Sequence, residues 1–225
     1  MSHLISRKRM TLLLAAAAIG TVTGTAIAAA ADLSVARSVD ADSLDAYKTS
    51  NTQSLQITNL IFDTLLTMDK DGSVHPGLAS AWTMSDDGKT YSFTIRDNVK
   101  CHDGSSFDAA AAKASLDRAI DPATVNPSLS AWGPISGTAV EGTDLKVTLS
   151  EPYGPFTSFL TSIQASFMCP SSFASAEFKP VGTGPFKLVD WVRNDKIELE
   201  ANADYKNFSP LIENPGKPHI DKLTF

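Results

Sequence analysis

The sequence predicts an α/β fold of mixed α+β type, and three observations carry that prediction. Hydrophobic and polar residues alternate over three pairs of short segments, each pair broken by a turn signal, as in antiparallel hairpins with one buried face. Between the pairs lie stretches whose apolar residues recur three and four apart, the period of a helix packed along one stripe. No repeat or low-complexity tract follows residue 31, so the elements read as packed layers and not as a solenoid.

In chain order, Leu33 to Val39 reads as a first strand. Gln53 to Leu66 reads as a helix with Ile57, Leu60, Ile61 and Leu65 on one face, and Asn51 or Thr52 stands ready to cap it. Met68 to Val74 turns through Asp69-Lys70-Asp71-Gly72, and Pro76 opens a short helical turn. Trp82 and Met84 then share a strand face, Asp86 to Lys89 supply a turn in which Gly88 takes positive φ, and Tyr91, Phe93 and Ile95 return every second residue. Val99 to Cys101 resumes the strand, and His102-Asp103-Gly104 turns the chain. Asp108 caps a helix that runs to Ile120 and stops at Asp121-Pro122, where proline disfavours helix.

Pro122 to Pro134 has a loop's composition, Pro, Asn and Ser with one Trp. Ile135 to Val140 and Leu145 to Leu149 form a second hairpin around Gly142-Thr143-Asp144. Pro155 to Gln164 reads as a helix with Phe156, Phe159, Leu160 and Ile163 inward. Phe167 to Cys169 is a short strand, and Pro170 to Phe178 a Ser-rich helical turn. Phe186, Leu188 and Val192 with Ile197 and Leu199 make the third hairpin, across Arg193-Asn194-Asp195. His219 to Phe225 reads as a core strand that ends the chain on an apolar residue.

Arg7, Lys8 and Arg9 precede an uncharged, Leu- and Ala-rich run from Met10 to Ala31 that closes in small residues, the layout of a cleavable signal peptide over residues 1–31. The rival reading is a membrane anchor, disfavoured by Gly20, Gly24 and the threonines in the run. Lys8 interrupts the pair that a twin-arginine signal requires, so the reading is Sec-type export to the periplasm. Cleavage takes away three basic residues and no acidic one, moving the formal charge of the 225-residue chain from −6 to −9. An acidic surface without a Lys/Arg cluster repels phosphates, which excludes nucleic acid as a partner.

The stretch Pro76 to Phe107 resembles the signature region of the bacterial extracellular solute-binding proteins of family 5, the peptide, nickel and opine receptors of ABC importers. Three further blocks extend the resemblance: Asn59 to Leu66, Val181 to Leu188 with its Gly-Thr-Gly-Pro, and Asn202-Ala203-Asp204-Tyr205. Cys101 departs from the pattern, standing where the family usually carries an aromatic, and Ala109 to Ala112 replaces a more acidic stretch. The resemblance implies a periplasmic binding protein of type II. Residues 32–60 and 179–225 then form the core sheet of a discontinuous first lobe, and 61–178 a smaller inserted α+β domain. The second lobe is absent, so the chain reads as an N-terminal part or a truncated gene product, with a complete small domain as the rival. The implied role is binding without catalysis: capture of a peptide or similar small solute and its presentation to an ABC permease in the inner membrane, with no cofactor. The alternatives are a non-functional remnant of a truncated gene and, behind it, a secreted hydrolase.

The residues themselves offer little chemistry. Gly182-Thr183-Gly184 lacks the Gly-Lys-Ser/Thr ending of a phosphate loop and leads into a strand. By resemblance it lies near the crossing between lobes, which makes Gly182 and Thr183 candidate ligand contacts. His102 beside Asp103 occupies a turn, so its role is structural; with His75 and His219 it matches no zinc spacing. No Gly-x-Ser-x-Gly occurs. The segment Asp45 to Thr52 is a candidate ligand-facing stretch; within it Ser50, Asn51 and Thr52 join the first strand to the first helix, where clefts form at sheet edges, and are candidate ligand contacts with helix capping as the plainer reading. Trp132 offers an aromatic face from a long loop, with packing on the loop's own base as the alternative. Export permits a Cys101–Cys169 disulfide; two buried apolar fillers are the alternative, and both readings stand.

Overall fold

A computed structural model describes residues 31–225 of the chain, so the signal peptide expected over residues 1–31 lies, but for its last residue, outside the described residues. The strand β1 (Asp32–Ser34) leads through bends to the helix α1 (Thr52–Ile61), then β2 (Asp63–Thr64), β3 (Leu66–Met68), β4 (Val74–Pro76), β5 (Ala79–Met84) and β6 (Thr90–Ile95). The helix α2 (Ala109–Ile120), the hairpin β7 (Ile135–Glu141) and β8 (Asp144–Leu149), the short helix α3 (Phe156–Phe159) and β9 (Ser166–Phe167) follow. The hairpin β10 (Phe186–Val192) and β11 (Lys196–Ala201) and the strand β12 (Lys222–Thr224) complete the order.

Two four-stranded sheets organise these elements. One has the order β1-β12-β11-β10, with β1 parallel to β12 and the other neighbours antiparallel; the other is the antiparallel sheet β5-β6-β8-β7. The first draws its strands from the beginning and the end of the described chain. The central strand β12 carries Leu223 opposite both Leu33 and Leu199, so one apolar row crosses three strands. In the second sheet β6 and β8 alternate buried and half-buried residues in step, and α2 covers their buried face through Ala112, Leu116 and Ala119. Phe93 and Tyr91 stack there edge-on to Phe156. A single hydrophobic cluster runs through both sheets.

The structure shortens several predicted elements. The first strand stops at Ser34, because only Asp32–Ser34 pair with β12 before the chain bends away. The first helix stops at Ile61: Phe62 is extended, and Leu65 and Leu66 are buried in the turn and strand that follow, an apolar continuation that imitates one more helical turn. Met68 to Val74 is the tip of a β3–β4 hairpin, with Gly72 at φ +82°, and Pro76 ends β4 instead of opening a helical turn. Met84 shares its face with Tyr91 but stands exposed at the end of the edge strand β5. The helix expected from Pro155 to Gln164 keeps only Phe156–Phe159, followed by a 3-10 turn at Ile163–Ala165. The strand expected at Phe167 to Cys169 is Ser166–Phe167, and the Ser-rich turn is helical only over Pro170–Ser172.

Cys101, just before α2, and Cys169, just after β9, are joined by a disulfide with Cα atoms 6.1 Å apart. Asp45, from the loop before α1, forms a buried ion pair with Arg118 at the end of α2. Arg118 Nη1 donates to Asp45 Oδ1 at 3.1 Å, and its guanidinium lies 5.2–5.5 Å from the rings of Tyr47, Phe173 and Phe178.

Candidate functional site

The segment Gly182–Gly184 crosses the carboxyl end of α1 with no space for side chains. A Cβ on Gly182 would stand 2.1 Å from the Ile61 carbonyl oxygen, and one on Gly184 2.6 Å from the same carbonyl. Gly184 N–H donates to that oxygen at 3.0 Å, satisfying a carbonyl the helix end leaves free. The His102 ring clamps the crossing from the other side: Nδ1 accepts from Gly182 N–H at 3.3 Å and Nε2 donates to the Gly184 carbonyl at 3.0 Å. The Nδ1 bond holds only for the neutral ring, and burial, outweighing the Gly184 hydrogen bond that favours the charged one, pushes His102 down to about 4.

Asp63 completes this knot. Thr183 Oγ1 donates to its Oδ2 at 2.8 Å and Tyr205 also hydrogen-bonds it; burial outweighs both and pushes the carboxyl up to about 6. Asn202 Nδ2 donates to the Gly184 carbonyl at 3.0 Å. A cavity of about 510 Å³ opens beside Asp63 and Tyr205, walled by Leu60, Met68, Phe208 and Ile212.

Ser50, Asn51 and Thr52 stand at the other end of α1. Asn51 Oδ1 caps the helix, accepting from Gln53 N–H at 2.8 Å and Ser54 N–H at 3.4 Å, while Ser50 and Thr52 are exposed. Ten helical residues separate the two groups, about 15 Å at the usual rise, so Gly182 and Thr183 do not join Ser50–Thr52 in one small-solute site. Thr183 is moreover buried, its hydroxyl spent on Asp63. Trp132 is corrected too: fully buried, it packs edge-on to Tyr47, Phe159 and Phe167 and shows no face to a ligand.

In open sheets with parallel strands, ligand crevices form outside the strands' carboxyl ends. The parallel pair here is β1 and β12, whose carboxyl ends run into 35–41 and Phe225. The β10–β11 turn is lashed beside them. Asp40 accepts from Trp191 Nε1 at 3.1 Å and from Asn194 N–H at 2.9 Å, and Arg193 Nη1 donates to the carbonyls of Ala41 and Asp42. Burial would raise Asp40, but these bonds and that of Ala41 N–H outweigh it and hold the carboxyl below the usual range. Asp42 is likewise held down, burial being outweighed by Ser54, Thr49 and Ser43. Between β1's exit and this turn lies a cavity of about 350 Å³ lined by Arg37, Asp40, Asn194, Asp195, Lys196 and Phe225, among others. Among the described residues no group of three His, Cys, Asp or Glu converges as for a metal ion, and no helix is long and apolar enough to cross a membrane.

The model of the bacterial extracellular solute-binding proteins, family 5 Middle, matches residues 73–225. The chain belongs to family 5. The glutathione-binding protein GsiB of Escherichia coli K12 is 33% identical over 202 residues, 88% of this chain and 38% of that protein. Among solved structures, NikA from Brucella suis in complex with Fe(III)-EDTA matches with a TM-score of 0.74 at 28% identity, over 86% of this chain and 38% of its own. DppA from Helicobacter pylori, an ABC transporter-associated periplasmic binding protein in complex with the peptide STSA, matches at 0.70 and 28%, over 86% of this chain and 42% of its own. The chain spans about 38% of the length of the curated relatives it matches.

The family 5 blocks read from the sequence meet at the knot: Ile61 and Asp63, His102, Gly182 to Gly184, and Asn202 and Tyr205 are mutual neighbours. They bind the sheets to each other. Sequence reasoning singled out neither Asp63, which holds the knot, nor Arg37, which lines the second cavity, since neither stands in a motif that marks chemistry; the only signal was their position shortly after α1 and β1.

Proposed function

We propose that this chain forms the first lobe of the periplasmic solute-binding component of an ABC importer for peptides or similar small solutes, and that it binds without catalysis. Its membership of a family of transporter components supports this reading, as does a crevice at the carboxyl ends of β1 and β12 with no nucleophile and base brought together. On this reading the sheet β1-β12-β11-β10 is the lobe's core, 61–178 an inserted domain, and residues 1–31 the export signal. The solute shifts an open–closed equilibrium by its differential affinity, and the permease reads the closed form.

The test is calorimetry and mass spectrometry with dipeptides and glutathione. The expected result is binding with the ligand recovered intact, and weak binding, because this chain offers one wall of a cleft. Hydrolysis of the peptide would refute the reading, and sub-micromolar affinity would refute its one-wall part.

A further inference from the structure

We propose that Arg37 is the anion anchor of the crevice at the carboxyl ends of β1 and β12, and that it takes a carboxylate of the solute. This rests on the solute-binding reading for its biological meaning and on four local observations for its chemistry.

Arg37 makes no hydrogen bond or ion pair among the described residues, and its Nη2 is covered with no partner. Only that nitrogen is cut off from solvent; the residue is half-buried, and its remaining N–H groups are the donors that a carboxylate in the cavity would meet. No neighbouring acid answers it. The carboxyl of Asp40 is taken by Trp191, Asn194 and Ala41, and that of Asp42 by Ser54, Thr49 and Ser43. Glu198 lies between Lys196 and Lys222, and Asp195, on the same cavity, makes no ion pair with Arg37.

The side chain is also held in place. Val35 N–H donates to the Thr224 carbonyl at 2.8 Å, fixing the chain two residues before Arg37, and the Phe225 ring lies 5.7 Å from the guanidinium carbon. Finally, the cavity of about 350 Å³ has room for a carboxylate and a short polar body. Its occupant is therefore a small carboxylic acid, and the corresponding ester or amide fits worse because it brings no negative charge to the guanidinium.

The probe is succinate, compared with dimethyl succinate, titrated into the full chain. Binding is followed by calorimetry and by the NMR signal of the Arg37 side-chain Nε–H, with circular dichroism as the control for folding. The expected result is a saturable shift of that signal by succinate and a preference of roughly ten- to a hundred-fold for the acid over the ester. Arg37→Gln abolishes the preference, and Arg37→Lys keeps part of it. An Arg37 signal unmoved by succinate at the order of 10 mM, above the constants of weak sites, overturns the proposal whether or not the variants fold. An acid preference that survives in folded Arg37→Gln overturns it too. Dipeptide binding that leaves the Arg37 signal still sinks the anchor and spares the solute-binding reading; a succinate response without any retained peptide does the reverse.

Discussion

His102→Gln will make the chain gain stability on mild acidification relative to the parent, and Asp63→Asn will make it lose stability over the same range. The two groups sit on one knot and titrate in opposite senses. His102 in the folded chain titrates at about 4 against an ordinary 6.5, so the unfolded chain takes the proton first and stability falls as pH drops from 6.5 to 4. Asp63 titrates at about 6 against 3.8, so the folded chain takes the proton first and stability rises as pH drops from 6 to 3.8. At 1.36 kcal/mol per pH unit each interval caps the effect at about 3 kcal/mol, and solvent access to both half-buried residues reduces it to about 2 kcal/mol. In the parent chain the two contributions nearly cancel. Gln retains a donor and an acceptor for Gly184 and Gly182, so the variant removes the titration while leaving the clamp a partner. Urea unfolding at pH 6.5, 5.5 and 4.5 reads the difference. Stability curves for both variants that run parallel to the parent between pH 6.5 and 4.5 would refute the reasoning.

Three other perturbations have calculable outcomes. Gly184→Ala will lower stability by about 2–3 kcal/mol by driving a methyl into the Ile61 carbonyl, while Gly137→Ala, with nothing within 4 Å, stays within about 0.5 kcal/mol; equal melting points would show that the crossing is loose. Asp45→Asn will cost about 3–5 kcal/mol by leaving Arg118 charged and buried, and the double variant Asp45→Leu/Arg118→Met will recover much of that loss; a double variant as unstable as the single one would contradict the pair's assigned role. Cys101→Ser will cost about 4 kcal/mol in oxidised protein, given the 68-residue separation, and the difference will vanish in reductant; equal urea midpoints without reductant would count against the cross-link's contribution.

Local patterns carried much of this fold in the sequence. The pairs β5–β6, β7–β8 and β10–β11 were legible because period-two alternation and a turn residue suffice to specify a hairpin. Asn51 and Asp108 were legible as caps, since an Asx side chain ahead of a helical period satisfies the first amides wherever the helix packs. The ends of α1 and α3 were not: Leu65, Leu66 and Leu160 keep the helical period but are buried by other segments. Trp132 was misplaced for the same reason. A tryptophan in a polar loop reads as exposed until the rings of Tyr47, Phe159 and Phe167 are placed around it.

The sequence by itself determined the hairpins, the caps, the mixed α+β class and, through four blocks of residues, the family. These are set by neighbours a few positions apart, whose spacing carries the physics. Only the tertiary structure decided that those blocks form one knot, that Asp63 and His102 titrate in opposite directions, and that Arg37 stands unanswered at a crevice. Each of these depends on burial and on partners remote in the chain, Thr183 for Asp63, Gly182 and Gly184 for His102, and Phe225 for Arg37, and no local pattern encodes such distances.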